Sequence, residues 1–303
     1  MAYAKTNTTA KVDVYATITD QIVAAIEAGA GNWERPWTKV GGFDQPKNVA
    51  SKKAYRGINT IMLFLAADLK GYAHGLWGTY KQWADLGANV RKGEKSTQVV
   101  FWSSFKKEDE ETGEEKTGMF AKMYYVFNVD QVDGYTMPNT IPAFINEEER
   151  IAHADEYFKN TRAIIRHGGD RAFYSPTGDY VMMPEFNVFK DSVSYYATLA
   201  HEVTHWSGHE TRCKREFGNR FGNEGYAFEE LVADIGSAFL CNILGLTNEP
   251  RPDHAQYIAG WLKVLKSDKK AIFTAASAAQ KAVDYLEELQ PAATLTDTMA
   301  KAA

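Results

Sequence analysis

The pentapeptide His201-Glu202-Val203-Thr204-His205 holds the residue types and spacing of a metal-assisted hydrolysis site. On a helix, residues four apart share a face, so the two imidazoles can grip one ion. Glu202 lies beside that face, where it can take the proton of a water bound to the ion and let hydroxide attack a polarised carbonyl. A tetrahedral centre with one open position needs a third protein ligand. His209 follows four residues after His205, but Gly208 should end the helix before it. Thr211 stands where the extended three-histidine pattern needs its last histidine, which excludes that pattern. The better source is Glu229-Glu230-Leu231-Val232-Ala233-Asp234-Ile235-Gly236. Acids inside an apolar helix are costly to bury unless something pairs with them, and a metal with its histidines would do so. A solvated helix face is the plainer reading, and Leu231, Val232, Ile235 and Phe239 leave it little water. Residue types leave both Glu229 and Glu230 open as the ligand. His74, His153, His167 and His254 have no ligand-like spacing.

Helices must position these groups. Asp191 or Ser192 can cap a helix running to about Ser207, with Val193, Tyr196 and Leu199 at helical spacing. A second helix is expected over about Tyr226–Leu244, and two more over His254–Leu265 and Asp268–Leu289. Upstream, Glu148–His167 reads as a helix and Ala172–Met183 as one or two short strands around Pro176 and Gly178. Such strands, ahead of the metal helix, could hold an extended peptide by strand addition; an ordinary hairpin packed on the core is the equal alternative.

The first half has a different texture. Apolar residues at Tyr15, Ile18, Ile22 and Ile26 predict a helix over Val12–Ala28, and Ile58–Leu69 should be a buried helix. Thr79 and Gln82 have capping-box spacing ahead of Trp83. Thr97–Phe105 and Met119–Asn128 read as strands, with acidic Glu108–Lys116 as a hairpin tip. Five of the seven Trp lie in this half, interleaved with Arg and Lys. Unpaired bases stack on aromatic rings while cations track phosphates, so the mix suits single-stranded nucleic acid. Any one Trp is more often core; the loop aromatics Trp33, Trp37 and Tyr55 are better platforms than Trp83. Arg91-Lys92-Gly93-Glu94-Lys95 is a plausible phosphate loop.

Charge supports this division. Residues 1–107 carry 15 Lys/Arg against 8 Asp/Glu, a balance of +7, and the remainder carries 19 against 31, or -12. The gly- and pro-containing tract Val132–Pro142 is the natural boundary. The expected organisation is a flexible tail at 1–11, a nucleic-acid-binding domain at 12–131, a linker at 132–146, a metal domain at 147–290 and a frayed tail at 291–303. With 303 residues, two ordinary domains fit. Two cysteines, Cys213 and Cys241, exclude a disulfide framework, and no stretch has the apolar length of a membrane span. A cytoplasmic location is expected; oligomeric state is not readable.

Several motifs resemble known families. Trp33-Glu34-Arg35-Pro36-Trp37, Tyr55-Arg56-Gly57-Ile58-Asn59, Thr79-Tyr80-Lys81-Gln82, Val90-Arg91-Lys92-Gly93-Glu94-Lys95 and Val126-Phe127-Asn128-Val129 resemble the N-terminal domain of ArdC-like plasmid antirestriction proteins. A similar domain begins the conjugative primases of the TraC type, although no primase region follows here. The second half resembles the "polyvalent protein" metallopeptidase domain through His201–Gly208, Tyr226–Leu240 and Tyr257-Ile258-Ala259 onward. The acidic helix is similar to the third-ligand helix of gluzincins. That similarity implies Glu230 as ligand and Asp234 as the hydrogen-bond holder of a histidine, with Glu229 as the alternative ligand.

The implied fold is α+β: a small mixed domain that binds single-stranded DNA, then a mainly helical zincin-like metallopeptidase domain of gluzincin type. The resemblance implies Zn2+ or another divalent ion at His201, His205 and Glu230, with Glu202 as general base. It also implies protection of incoming conjugative DNA from host restriction, and a host protein is a candidate peptide substrate. The expected DNA-contacting set is Trp33, Arg35, Trp37, Lys53, Tyr55, Arg56, Tyr80, Arg91, Lys92 and Lys95.

Overall fold

Local chemistry sets most element ends. Helix α1 (Val14–Gly29) starts where the Asp13 carboxylate accepts the Ala16 N–H, and Ile18, Ile22 and Ile26 bury one face. Helix α2 (Ile58–Lys70) stops at Gly71, whose φ of 66° is left-handed and returns its N–H to the last turn. Helix α3 (Tyr80–Asp85) opens with the Thr79/Gln82 capping box, and the Trp83 indole N–H donates to the Phe127 carbonyl at 3.0 Å. The protein was analysed as a computed structural model that describes residues 13–29, 45–108, 115–137, 147–217, 224–246 and 255–291.

The described residues of the first half include the strands β1 (Lys47–Asn48), β2 (Leu76–Gly78), β3 (Asn89–Val90), β4 (Thr97–Glu108), β5 (Glu115–Asn128) and β6 (Val132–Asp133). One sheet has the order β1-β2-β5-β4, and β3 pairs with β6. Strands β4 and β5 form a long antiparallel hairpin from Thr97↔Val126 to Glu108↔Glu115. The outer edge of β4 is closed at Val100, whose N–H and C=O both bond the Asn59 side chain of α2. Sequence reasoning found β4, β5 and the three helices. It missed β1, β2, β3 and β6, which are two or three residues long and carry no periodicity.

The second half contains α4 (Glu147–Asn160), β7 (Ile164–His167), β8 (Phe173–Ser175), β9 (Tyr180–Met183), α5 (Ser192–Ser207), α6 (Glu224–Ile243), α7 (Ala255–Ser267) and α8 (Ala271–Glu288). Its sheet has the order β7-β9-β8, parallel between β7 and β9 and antiparallel between β9 and β8. The helix expected through His167 ends early. Arg162 takes φ 60°, the Thr161 hydroxyl donates to the Phe158 carbonyl, and the β-branched pair Ile164-Ile165 enters the sheet. Within the expected linker, Val132 is buried and pairs with Val90, so ordered structure continues into that segment.

The α+β class holds, and the two halves share a core. One apolar cluster joins Ile18, Ile22 and Ile26 of α1, Ile61 and Phe64 of α2, and Val100 of β4 to α5, α6 and α8. Tyr15 meets Phe273 of α8 edge-on at 4.8 Å, and Trp102 of β4 also packs on Phe273. Polar links reinforce the contact: Thr19 donates to the Lys269 carbonyl, the Gly57 N–H donates to Gln280, and Arg56 pairs with Asp284. Truncating a buried Phe costs about 3–5 kcal/mol. Phe273→Ala should therefore lower stability by about that much, in one denaturant transition seen alike by Trp fluorescence and far-UV dichroism. Separate transitions for the two halves would contradict the shared core.

Candidate metal centre

Helix α5 begins where the Asp191 carboxylate accepts the Ser194 N–H at 2.7 Å, which sets the phase of everything after it. From that start, His201 and His205 fall one turn apart on the face turned towards α6. The two helices touch closely: a Cβ on Gly236 of α6 would lie 2.5 Å from Cγ2 of Thr204 on α5. No side chain fits there, so glycine is what lets the helices approach.

Three groups converge across this contact. The Nε2 atoms of His201 and His205 lie 3.1 Å apart. A Glu230 carboxylate oxygen lies 3.5 Å from the first and the other oxygen 3.6 Å from the second. Among the described residues, His201, His205 and Glu230 are the one cluster able to offer three ligand atoms to a single ion. Metal–ligand bonds of about 2.0–2.1 Å at tetrahedral angles would put ligand atoms about 3.3–3.4 Å from one another. The observed triangle is close to that.

The hydrogen bonds fix why these nitrogens face inward. His201 Nδ1 donates to Asp234 at 3.0 Å, and His205 Nδ1 donates to Glu229 at 3.1 Å. With Nδ1 on both rings turned to a carboxylate, both Nε2 atoms face each other, an arrangement that needs a shared proton or a cation between them. The groups around the site are buried: His201, Glu202, His205, Glu229, Glu230 and Asp234 are each at most 8% exposed. Among the described residues, the Arg215 guanidinium pairs with Glu229 beside these carboxyl groups. Burial opposes charge on His205, but hydrogen bonds and charge from Glu229 and Glu230 outweigh it and push its pKa up to about 10. Burial also opposes charge on Glu230, yet both histidines hold its carboxyl far below the usual range. The pocket demands positive charge, and the residues fit a divalent ion.

Arg215 was invisible to motif reading. It lies past the end of α5 and turns back, donating to both oxygens of Glu229, to the Ser207 hydroxyl and to the Thr204 carbonyl. It thus caps the last turn of α5 and aims the carboxylate that holds His205. Glu229, the alternative ligand, faces away from the triangle and is occupied by Arg215 and His205 Nδ1. Adjacent helix residues point about 100° apart, so both acids could not face one ion. His209 bonds Thr211 instead and stays outside the cluster. Glu202 is buried on the same turn as the first histidine.

Comparison with known proteins agrees with this geometry. Residues 12–127 match the N-terminal domain of anti-restriction factor ArdC, and residues 152–278 match a zincin-like metallopeptidase family. The solved structure of the antirestriction ArdC protein from plasmid R388, metal-free, has 44% identity and a TM-score of 0.77, covering 92% of this chain and 98% of that one. The chain belongs to the ArdC family. A second structure of that R388 protein is Mn(II)-bound, at 42% identity and a TM-score of 0.75, covering 92% of this chain and 98% of that one. An uncharacterised protein, y4eC, of Sinorhizobium fredii (strain NBRC 101917 / NGR234) is 48% identical over 92% of each chain. DNA primase TraC of Escherichia coli is 36% identical over 89% of this chain, which spans 26% of the primase.

The expected DNA-contacting residues are less concentrated. Trp33, Arg35 and Trp37 lie outside the described residues. Lys53, Tyr80, Lys92 and Lys95 are exposed. Tyr55 is half-buried against the Leu63–Trp77 cluster, and its hydroxyl accepts from Asn48, so its ring is largely used in packing. Arg56 is held by Asp284, and Arg91 by Glu94, Asp133 and the Asp130 carbonyl. Arg91 and Lys95, with Lys70, Tyr72, Glu94 and Asp130, line a cleft of about 670 Å3. Trp77 and Trp83 are fully buried, as their core reading required. Holders of a ligand histidine typically change metal affinity 10- to 100-fold. Arg215→Ala and Glu229→Ala should each weaken metal binding by about that factor in competition titrations, and Glu230→Ala should weaken it more than either. Equal losses for Glu229→Ala and Glu230→Ala would undo the division of roles.

Proposed function

We propose that this protein protects incoming conjugative plasmid DNA from host restriction. It does so by binding single-stranded DNA through residues 12–131 and by hydrolysing a peptide bond of a host protein through residues 147–290. The reading that carries the hydrolytic half is the pair of inward-facing imidazole nitrogens closed by Glu230. Zn2+ is the ion we assign to His201, His205 and Glu230, since two imidazoles and one carboxylate are a common catalytic donor set for it. When bound, the ion supplies Lewis acidity that polarises a carbonyl and makes water acidic.

The remaining work belongs to the chain. Glu202 accepts the proton of the attacking water and passes it to the leaving amine. Asp234 and Glu229 keep the two histidines in the tautomer that presents Nε2 to the ion. Leu231, Val232 and Ile235 keep bulk water from the back of the site, which strengthens each charge interaction there. Strand β8 is an edge strand packed beside α5, and it is the candidate partner for an extended peptide. The binding half rests on the basic, aromatic composition of the first 107 residues and on family membership. The assigned location is the recipient cytoplasm, and no described helix is long and apolar enough to cross a membrane.

Glu202→Gln tests the hydrolytic half. Removing a general base typically costs about 100- to 10,000-fold in rate. The variant should retain one equivalent of zinc by elemental analysis, and transfer of unmodified plasmid into a restricting recipient should fall to the level of a null allele. Undiminished protection by a zinc-loaded Glu202→Gln protein would make the chain a binding protein whose metal is structural.

A further inference from the structure

The β4–β5 hairpin has two unlike faces. Val100, Trp102 and Ala121 belong to one face and enter the shared core. Residues paired across the ladder project to the same side, so Val99↔Tyr124, Phe101↔Lys122 and Ser103↔Phe120 define the other face. Helix α2 covers the root of that face, where Leu63 and Ala67 pack with Val99 and Val126. Beyond α2 the rings are part-exposed. There Phe101, Phe120 and Tyr124 are 54%, 43% and 38% exposed.

Exposed rings on a sheet face are expensive unless a partner covers them. The face also holds Lys122, whose ammonium sits 5.2 Å from the Tyr124 ring centroid, and Ser103; none of its six named residues is acidic. Along β5 the order is ring, cation, ring at intervals of about 6.8 Å. Across the strands Phe101 and Tyr124 stand 5.9 Å apart, nearly perpendicular. A protein partner would be expected to meet a more mixed polar rim. Aromatic platforms with a cation between them match unpaired bases and their phosphates.

We propose that this face of the hairpin, with Phe101, Phe120 and Tyr124 around Lys122, is where single-stranded DNA stacks its bases. The assignment rests on the DNA-binding reading above and gives it a location. Stacking accepts any base, and Lys122 reads charge, so the surface prefers unpaired strands with little sequence preference. It also explains why the aromatic surplus of the first half is not carried by Trp77 and Trp83, which are core.

The full-length, metal-loaded protein and a labelled oligothymidylate of about 16 nucleotides provide the test. Phe101→Ala and Tyr124→Ala should each weaken binding about 5- to 100-fold, the range for loss of one stacked base. Lys122→Ala should reduce the salt slope of log affinity by about 0.7. Tyr125→Ala is the control, because Tyr125 is 51% exposed but pairs with Gln98 on the opposite face; its affinity should not change. Unaltered thermal unfolding and zinc content would exclude misfolding. Photo-crosslinking of the wild-type protein, with adducts expected at Phe101, Phe120 or Tyr124, gives a readout independent of any variant.

Wild-type protein that binds the strand while Phe101→Ala and Tyr124→Ala bind equally well would overturn this location and leave the DNA-binding reading standing. Wild-type protein that binds no single strand would remove that reading and this one together. A dimer that either substitution converts to monomer in sedimentation would make the face a self-association surface and overturn the proposal.

Discussion

Everything in the second half depends on two imidazole nitrogens being forced to face each other inside an apolar core. Nitrogens 3.1 Å apart need a proton or a cation between them, and each buried carboxylate nearby would carry a large desolvation cost without a partner. The fold meets this by design at the helix contact. Gly236 lets α6 approach Thr204, which sits between the two histidines of α5, and Glu230 then reaches both rings. Arg215 returns along the end of α5 and ties its final carbonyls to Glu229. A cation between the rings would pair with the carboxyl groups around them.

The same constraint explains why the two halves are not independent. Helices α5 and α6 are backed by α8, and the other side of α8 receives Tyr15, Trp102 and Gly57 from the first half. The helix pair that holds the ligands is therefore braced by the segment assigned to DNA. Arg56, among the residues expected to meet DNA, also forms an ion pair with Asp284.

Legibility followed the range of the interactions. The histidine pair, the Asp191 cap, the Thr79/Gln82 box and the alternation of β4 and β5 are local patterns, and all could be read directly. Glu229 and Glu230 could not be separated by residue type, because the deciding fact is which side of α6 faces α5. Arg215 was missed since nothing in its neighbourhood marks a guanidinium that folds back onto an acid 14 residues later. The aromatic surplus of the first half is a fact of composition that does not by itself say which rings face out. Trp draws attention by its size, yet large rings are the ones most readily buried, and Trp77 and Trp83 fill the core. Strand register, which sets Phe101 and Tyr124 on one face, needs the partner strand to be known.

One helix supplies the proposed third ligand and both histidine holders, and this follows from angular phase. Glu230 and Asp234 are four residues apart, so they lie only about 40° apart around α6 and share a face. Glu230 meets the Nε2 atoms while Asp234, one turn further on, reaches Nδ1 of His201. Glu229 is about 100° off that line, which carries it past the His201–His205–Glu230 triangle to Nδ1 of His205. Two adjacent acids thus do unlike jobs because the helix turns between them. A shift of α6 by one residue in register would exchange those jobs and leave one histidine without its acceptor. The tight Gly236–Thr204 contact holds that register and is, in this sense, as much a part of the metal centre as the ligands.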